Sequence, residues 1–389
     1  MKRLVLLGGG HAHVEVLRIL AERPIDGVEI TVVTPYSRLV YTAMVPGVIA
    51  GHYALADSAI DIAALARAAN ATLLLTTASL VRPNEREVAC SDATILPYDA
   101  LSLDVGSRPV IGGAEGVERN AVLMRPMESL VRGWVDVRAR ARAGKVSSIT
   151  IVGAGAGGVE LALAMDHGLR REMKGDAPHV RIIADTPVML PEFHAEARAR
   201  LRKRLARRNI GVHVSSTVKE VGERAVRLQS GIEFASDATF WATGSGAHEW
   251  IRESGFATDE RGFLLTNDFL QSVTYREVFG VGDCATQEHR LLPKAGVFAV
   301  RAAPQLAANL RAALSDAPLE RHVTSPSYLA LVSTGGKHAV GVWNGWSWQG
   351  YWAWRWKDFI DRGFVERYRV ASRATSSLSV SGAPANSKR

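Results

Sequence analysis

Two glycine-rich stretches decide the fold: KRLVLLGGGHAH at residues 2–13 and SITIVGAGAGG at residues 148–158. In each, an apolar run typical of a buried strand ends at a glycine, and a helical pattern follows. The first glycine permits a tight turn, and the second lets the backbone approach a pyrophosphate at the positive end of the helix. Each stretch alone predicts one dinucleotide site, so the pair predicts two dinucleotides in one chain.

The second stretch fits this pattern completely, because Gly153, Gly155 and Gly158 have the required spacing and a helical pattern continues from them. The first stretch has Gly8 and Gly10, but His13 stands where a third small residue would allow close packing of helix and strand. A buried strand, turn and helix that bind nothing is the alternative for this copy.

A third signal lies downstream, where a short apolar strand ends in Gly282-Asp283. A carboxylate at that place can accept a hydrogen bond from a polyol such as a ribityl chain. The alternative is a turn or a helix cap.

The order of these glycine signals, with Ala242-Thr243-Gly244 between the second and third, resembles the flavoprotein reductases of the pyridine nucleotide–disulfide oxidoreductase superfamily. The resemblance extends from residue 1 to about residue 320. Within the superfamily the chain is most similar to type II NADH dehydrogenases and to the flavoprotein domain associated with selenide, water dikinase. The similarity to the second group is carried by four stretches: 8–17, 41–51, 292–301 and 354–361.

The resemblance implies an α/β fold with two Rossmann-like dinucleotide-binding domains, each a three-layer ββα arrangement, the second inserted in the first. A small C-terminal α+β section follows. The implied divisions are a discontinuous FAD-binding domain, 1–119 and 238–320; an NAD(P)H-binding domain, 120–237; a Trp-rich section, 321–370; and a disordered tail, 371–389, which is rich in Ser and Ala and poor in apolar residues.

Apolar periodicity adds the elements within these domains. We expect helices over 14–22, 60–69, 127–143, 159–173 and 298–314, and strands over 28–34, 149–152 and 180–184, with a strand pair around 73–88.

For FAD, the acid expected about 20 residues beyond the glycines is missing, because the second strand ends at Thr34-Pro35. Thr34, Arg38 or the backbone is then left to bind the adenosine ribose. His11 and His13 are interpreted as pyrophosphate-side donors or packing residues, with no metal site implied. The full set that the resemblance assigns to FAD is Gly8, Gly10, His11, Ala12, Thr34, Arg38, Tyr41, Met44, Pro46, Val81, Gly106, Gly244, Gly282, Asp283, Gly296 and Val297.

For the nicotinamide nucleotide, Gly153, Gly155 and Gly158 are expected to face the pyrophosphate and Asp185 the ribose. No basic cluster stands near Asp185 to receive a 2′-phosphate. This favours NADH, with NADPH as the alternative.

Two residues are catalytic candidates. Glu160 resembles the glutamate of type II dehydrogenases that lies near the nicotinamide; stabilisation of the helix dipole is the alternative. Lys294 is the candidate cation for the pyrimidine edge of the flavin; the alternative is a solvated loop lysine. Hydride transfer itself belongs to the cofactors.

Cysteine content limits the chemistry. The chain has only Cys90 and Cys284, and neither has the closely spaced partner that a dithiol reductase needs beside its flavin. We therefore interpret both as small packed residues in a protein of a reducing compartment.

The net charge is +8, concentrated in Arg-rich helices such as 196–208. No nucleic-acid-binding motif accompanies this run, so nucleic acid is not an expected partner. A solvated helix face or attraction to anionic lipid remain as interpretations. The sequence shows no long apolar segment and no secretory signal, which favours a cytoplasmic protein.

Six of the nine tryptophans lie within fourteen residues, from Trp343 to Trp356, and basic residues surround them. Such a segment suits peripheral contact with the inner face of the cytoplasmic membrane through 343–369. The period of two in Trp352, Trp354 and Trp356 also suits a strand that packs internally or forms a homodimer.

The sequence thus predicts an FAD-dependent NAD(P)H oxidoreductase that passes electrons from NADH to a small-molecule acceptor, foremost a quinone. One alternative is a selenium- or sulfur-compound oxidoreductase. The other is a slow redox-sensing protein that binds FAD and NADH.

Overall fold

The structure of the chain, a computed structural model, describes residues 1–173 and 177–369. The predicted tail at 371–389 lies outside the described residues.

The strands fall into several small sheets and two five-stranded ones. In chain order they are β1 Lys2–Leu7, β2 Val28–Val33, β3 Arg38–Val40, β4 Ala59–Asp61, β5 Ala71–Leu74, β6 Ala78–Arg82, β7 Glu87–Cys90, β8 Ile95–Pro97, β9 Ala100–Leu103, β10 Arg108–Pro109, β11 Ala121–Leu123, β12 Ser148–Val152, β13 His179–Ile183, β14 Gly211–His213, β15 Val218–Val221, β16 Ala225–Leu228, β17 Glu233–Ala235, β18 Ala238–Trp241, β19 Ser245–Gly246, β20 Leu264–Thr266, β21 Val278–Gly280, β22 Ala285–Gln287, β23 Ala330–Thr334, β24 Gly336–Trp343 and β25 Trp346–Gly350.

The helices include all of the expected ones, whose ends agree with the structure to within three residues. They are α1 His11–Glu22, α2 Val45–Ile49, α3 Ile62–Ala68, α4 Val117–Asn120, α5 Met127–Arg142, α6 Ala156–Met173, α7 Ala195–Arg207, α8 Glu249–Glu253, α9 Gly296–Leu314 and α10 Tyr351–Arg367.

The first large sheet is parallel, in the order β21-β9-β1-β2-β5. Successive side chains of a strand point to opposite faces. Accordingly Leu4 and Leu6 of β1 join the core formed with α1, α3 and α9. Val5 and Leu7 join a second core formed with the antiparallel sheet β6-β7-β8. The sheet is therefore the middle of three layers.

The second large sheet repeats the plan in the order β11-β18-β12-β13-β14, again with parallel neighbours. Ile149 and Ile151 of β12 face the core with α5, α6 and α7. Val152 faces the other way, toward the antiparallel sheet β15-β16-β17. The predicted α/β fold with two three-layer Rossmann-like units is confirmed.

The predicted return to the first domain at residue 238 is too early. Strand β18, Ala238–Trp241, lies between β11 and β12 in the second sheet, so it belongs to the inserted unit. Its four residues are all buried, as a central parallel strand requires. The other limits of the domain division stay predictions.

The C-terminal section is α+β. The sheet β23-β24-β25 is antiparallel and lies between helices. Val340 and Val342 face the core that contains α6 and α7, whereas Ala339 packs against Ala353 and Trp354 of α10. The tryptophan-rich run is divided between strand and helix, since β25 ends at Gly350 and α10 begins at the next residue. Trp352, Trp354 and Trp356 are therefore helical, and the strand interpretation of their spacing is wrong.

Across the described ranges, no helix has both the length and the apolar character that crossing a bilayer would need.

Candidate functional site: two glycine turns and a buried charge cluster

The first glycine turn is locked against Asp104, which follows β9. The Asp104 carboxylate accepts hydrogen bonds from the backbone N–H groups of Ala12 (2.8 Å) and His13 (3.1 Å). A Cβ atom on Gly10 would lie 2.4 Å from the Asp104 Cγ atom, and one on Gly8 would lie 2.2 Å from the Asp104 carbonyl oxygen. Gly8 also has a φ of +95°. Both positions therefore require glycine.

His13 stands at the position of the third glycine, and hydrogen bonds of its side chain hold this turn in place. Its Nδ1–H donates to the Gly8 carbonyl oxygen at 2.7 Å, so Nε2 accepts from the Ser102 hydroxyl at 2.8 Å. The ring is fully buried, and burial lowers the pKa of His13, which keeps it neutral. The imidazole thus joins helix α1 to strands β1 and β9.

His11 points elsewhere, as expected for a residue two positions away on a helix. Its ring lies 5.6 Å from that of Tyr41 and 6.1 Å from that of Phe364, measured between centroids. Tyr41 and Phe364 stack at 4.4 Å. A Cβ atom on Gly296, the first residue of α9, would lie 3.7 Å from the His11 ring. The structure therefore brings three predicted residues together around the start of α1, namely His11, Tyr41 and Gly296. Phe364 is the unpredicted member of this group.

The Gly282-Asp283 turn reaches the same region. Gly282 has a φ of +69°, and a Cβ atom on it would lie 2.6 Å from the Asp104 carboxylate. Asp283 accepts a hydrogen bond from the Ser107 hydroxyl at 3.3 Å and forms an ion pair with Arg125 at 3.2 Å. A carboxylate held in this way next to the glycine turn fits the binding of a polyol chain.

The remaining predicted FAD residues differ in their positions. Thr34 is buried at the end of β2, and its hydroxyl would lie 3.2 Å from a Cβ atom on Gly9, so it faces the glycine turn. Arg38 is exposed on β3. Val81 is separate: its side chain is inside the core under β6-β7-β8, and its N–H donates to Ser254. Four others show simple environments: Met44 and Pro46 are buried in the segment that follows Tyr41, with Pro46 inside α2, while the space around Gly106 and Gly244 is open.

Lys294 contacts neutral groups. Its ammonium donates to the Ala285 carbonyl oxygen and to the Thr286 hydroxyl, and it lies 4.0 Å from the centre of the Phe263 ring. Burial lowers the pKa of this lysine. It lies near the Asp283 turn, and its role at the flavin stays a prediction.

The second glycine turn has the geometry that its sequence predicts. Gly153 has a φ of +120°, and a Cβ atom there would lie 2.3 Å from the Ala242 carbonyl oxygen. A Cβ atom on Gly158 would lie 2.0 Å from the Gly153 carbonyl oxygen. Gly158 thus permits the close approach of α6 to β12 that the third glycine of such a motif provides.

An unpredicted carboxylate occupies the start of α6. Glu192, which is exposed on the loop before α7, accepts a hydrogen bond from the Ala156 N–H at 3.1 Å. Its Oε1 atom would lie 4.0 Å from a Cβ atom on Gly155. The predicted ribose acid, Asp185, is exposed just beyond β13. Glu192 therefore lies where the helix terminus would attract a phosphate.

Glu160 meets the C-terminal section. Its Oε1 atom accepts a hydrogen bond of 2.6 Å from the backbone N–H of Ser333 in β23. Burial raises the pKa of Glu160, and the positive charge of Lys357 opposes that shift.

Lys357 forms a buried ion pair with Asp361, 2.8 Å between Nζ and Oδ2, and donates to the Ala43 carbonyl oxygen at 2.8 Å. Burial raises the pKa of Asp361. Lys357 and Asp361 are 9% and 3% exposed. The cluster Glu160–Lys357–Asp361 thus connects the helix of the second glycine turn to the loop that contains Tyr41 and Met44.

The cysteines have no active role in this geometry. Both are free and buried in the core under the first sheet. Burial raises the pKa of the Cys284 thiol to about 12, and that of Cys90 is also raised. Since the thiolate is the reactive form, neither is activated.

The other side of α10 is an exposed aromatic surface. Trp352, Trp356 and Phe359 are 55%, 41% and 78% exposed. Trp348 of β25 stacks with both Trp352 and Trp356, with ring centroids 6.1 Å apart. We call Trp343, Trp346, Trp352, Trp356, Phe359 and Ile360 the aromatic surface.

Sequence reasoning missed Asp104, Arg125, Glu192, Lys357 and Asp361 as site residues. Lys357 and Asp361 carry a signal, an opposite-charge pair four residues apart on a helix. Asp104 directly follows the end of β9 and stands two residues before Gly106. Arg125 and Glu192 have no comparable sequence signal, because their partners are distant in the chain.

Comparisons with known proteins identify the family. The profile of the family described as "Pyridine nucleotide-disulphide oxidoreductase" matches residues 2–307. A Dictyostelium discoideum protein named "Probable NADH dehydrogenase" is 28% identical over 231 residues, which are 54% of this chain and 51% of that protein. The chain thus spans about half the length of that relative.

A second relative is the mitochondrial "Internal alternative NAD(P)H-ubiquinone oxidoreductase A1" of Arabidopsis thaliana. It is 23% identical over 314 residues, 73% of this chain and 61% of that protein. Among solved structures, the sulfide:quinone oxidoreductase of Aquifex aeolicus has the same fold, with a TM-score of 0.80 and 19% identity over 95% of this chain and 92% of that one. The chain belongs to the pyridine nucleotide-disulphide oxidoreductase family, and with it to the oxidoreductases that bind FAD and NAD(H).

Proposed function

We propose that the protein is an NADH:quinone oxidoreductase of the type II NADH dehydrogenase kind. The reaction is NADH + H⁺ + quinone → NAD⁺ + quinol. The observation that carries the proposal is the buried cluster Glu160–Lys357–Asp361, which lies between the second glycine-turn helix and α10. The ubiquinone reductase named above supports the acceptor.

The residues of the first turn fit FAD, because glycine at positions 8 and 10 lets the turn pack closely against Asp104 at the amino-terminal end of α1, and because Asp283 can accept hydrogen bonds from a polyol. Bound there, FAD supplies the two-electron chemistry that links NADH to the acceptor. Gly153, Gly155 and Gly158 would hold the pyrophosphate of NADH, and Asp185 its ribose. The lack of a basic cluster at Asp185 favours NADH over NADPH.

The charge cluster suits a reaction in which a quinone takes up two protons. The Oε1 atom of Glu160 is engaged by Ser333, so Oε2 is the atom that can hold a proton. The raised pKa of Glu160 increases the protonated fraction at neutral pH. Lys357 keeps a positive charge next to Ala43 and the Tyr41 loop, where it would stabilise negative charge that develops on the reacting groups.

The aromatic surface supports peripheral contact with a membrane, where a lipid-soluble quinone resides. Tryptophans with nearby Arg355 and Arg362 on one face of α10 are typical of an interfacial helix. The opposite face of the same helix contains Lys357 and Asp361. One helix would therefore separate the lipid surface from the charge cluster.

The two alternatives predict other outcomes. A sulfur- or selenium-compound oxidoreductase that uses cysteine would need a reactive thiolate, and the raised pKa of both thiols opposes this. A redox-sensing protein would bind FAD and NADH but would turn over slowly.

The test is anaerobic stopped-flow mixing of the purified yellow protein with NADH, followed by a soluble ubiquinone. We expect rapid bleaching of the flavin band and full recovery with the quinone. Bleaching without recovery would exclude the quinone as the acceptor. Slow consumption of NADH in the steady state would favour the redox-sensing protein. Gly158→Ala should abolish bleaching by NADH at unchanged FAD content, because its Cβ atom meets backbone.

Gly157→Ala is the matched control for that variant. Its Cβ atom would meet only the flexible end of the Met124 side chain, so bleaching by NADH should be retained.

A further inference from the structure

A cavity of about 50 Å³ lies next to the Gly282-Asp283 turn, beneath the loop that leads into α9. Of the described residues, none from the first glycine turn, 8–11, contributes to its wall. The polar side chains of the cavity wall are those of Thr266, Asp283, Thr286, Gln287, Arg290, Lys294 and His322.

Two buried donors in this wall have no acceptor. Gln287 is 9% exposed, and its Nε2 atom finds no hydrogen-bond partner among the described residues. The Nη1 atom of Arg290 is buried and likewise unpartnered there. Buried donors are almost always satisfied, because leaving one unpaired costs the full desolvation of the group. Both therefore indicate an acceptor inside the cavity.

The charges of the wall favour an anion. Arg290 has no carboxylate within ion-pair distance in the part of the chain that the structure describes, whereas Asp283 is already paired with Arg125. Lys294 adds a second cation whose hydrogen bonds go to neutral groups. Burial and the positive charge of Arg290 lower the pKa of His322, which favours the neutral ring, so the positive charge of the wall comes from Arg290 and Lys294. The amino-terminal end of α9 also lines the cavity through Ala295 and Phe298 and adds positive potential.

We propose that this cavity binds a small tetrahedral oxyanion of the phosphate or sulfate class, held by Arg290 and Gln287 beside Lys294. Its volume corresponds to roughly three to five water-sized positions, which suits an anion with four oxygens. The donors approach from strand β22, from the loop after it and from the start of α9, so they can contact different oxygens. The cavity wall shares Gly282, Asp283 and Lys294 with the residues assigned to FAD, whereas none of residues 8–11 of the first glycine turn lines it.

The first experiment follows the melting temperature of the FAD-loaded protein as phosphate or sulfate is added, with ionic strength held constant by sodium chloride. We expect a saturable rise for both anions. Arg290→Gln and Gln287→Leu should each weaken the apparent affinity tenfold or more. Arg276→Gln, which changes an exposed arginine nearby in sequence, should behave as the wild type. A rise that is unchanged in both cavity variants would overturn the proposal.

The second experiment locates the anion directly by anomalous scattering from crystals of the FAD-loaded protein soaked in selenate. A peak in the cavity between Arg290 and Gln287 supports the site even if a variant fails to fold. Ordered water alone in the cavity, or release of FAD by phosphate, would show that no separate anion site exists.

Two further measurements identify the class of the bound anion and separate this proposal from the proposed function. Glycerol 3-phosphate in place of inorganic phosphate distinguishes a phosphate monoester from the free ion as the bound species. NADH oxidation by Arg290→Gln should stay within twofold of the wild type, so the anion site and the proposed function can fail independently.

Discussion

Lys357 and Asp361 form an ion pair of 2.8 Å within α10, and both side chains are almost fully buried. The positive charge of Lys357 also acts on the carboxyl group of Glu160, which reaches the same region from α6, and opposes the rise that burial causes in the pKa of Glu160. A single cation thus balances two buried carboxyl groups from different parts of the chain.

Removal of that cation should be costly. We expect Lys357→Met to lower the free energy of unfolding by about 3 to 5 kcal/mol, because a buried carboxylate is left without its partner. Quinone-driven recovery of the flavin should also slow by at least tenfold. Lys203→Met, at an exposed lysine of α7, is the control and should alter neither quantity.

The double variant Lys357→Met, Asp361→Leu distinguishes stability from activity. Replacing both partners by apolar groups removes the unpaired charge, so stability in urea should be largely restored. Quinone reduction should stay slow. Full recovery of the rate would show that Lys357 acts only through the fold.

Glu160 should give stability a dependence on pH. Its pKa is raised in the folded protein, so between the unfolded value of 4.5 and the folded value the native state binds more protons than the unfolded state. The contribution to the free energy of unfolding is therefore lost as the pH rises through this window. Glu160→Gln removes this loss.

The measurement is urea denaturation of Glu160→Gln and of the wild type from pH 4 to pH 8. The difference should grow in favour of the variant with rising pH. Glu260→Gln, at an exposed glutamate, is the control and should give a flat difference. A flat difference for Glu160→Gln would mean that the ionised carboxylate is fully compensated in the fold.

Glu192 should weaken NADH binding, because its carboxylate holds the Ala156 N–H that a phosphate would need. Glu192→Gln should lower KM for NADH by about fivefold, the size of a like-charge contact near the surface. Glu196→Gln, in the first turn of α7 and paired with Arg200, should leave KM unchanged. A higher KM in Glu192→Gln would instead show that Glu192 binds the nucleotide.

The aromatic surface should bind lipid. Trp352→Ser with Trp356→Ser should reduce sedimentation with vesicles of phosphatidylglycerol and phosphatidylcholine by tenfold or more, since partition of tryptophan into the interface is lost. NADH-driven bleaching in solution should be retained. Trp134→Phe, a buried change in α5, is the control. Unchanged sedimentation would point to a surface that packs against another protein.

The sequence by itself determined the two Rossmann-like units and their glycine turns. The reason is local: apolar strands with alternating faces, the spacing of Gly153, Gly155 and Gly158, and the helices after them are encoded by neighbouring residues. The positive φ angles of Gly8 (+95°) and Gly282 (+69°) are local in the same way and agree with the turns that the sequence predicts.

Only the tertiary structure decided what surrounds these turns. Asp104 meets His13 across 91 residues, and Glu160 meets Ser333 across 173, separations at which no sequence spacing indicates a contact. The same limit explains why the sequence places β18 in the wrong unit and why the tryptophan spacing suits a strand as well as a membrane-contact helix. Parallel pairing and helix docking are set by packing between distant segments, whereas turn geometry is set by the residues of the turn itself.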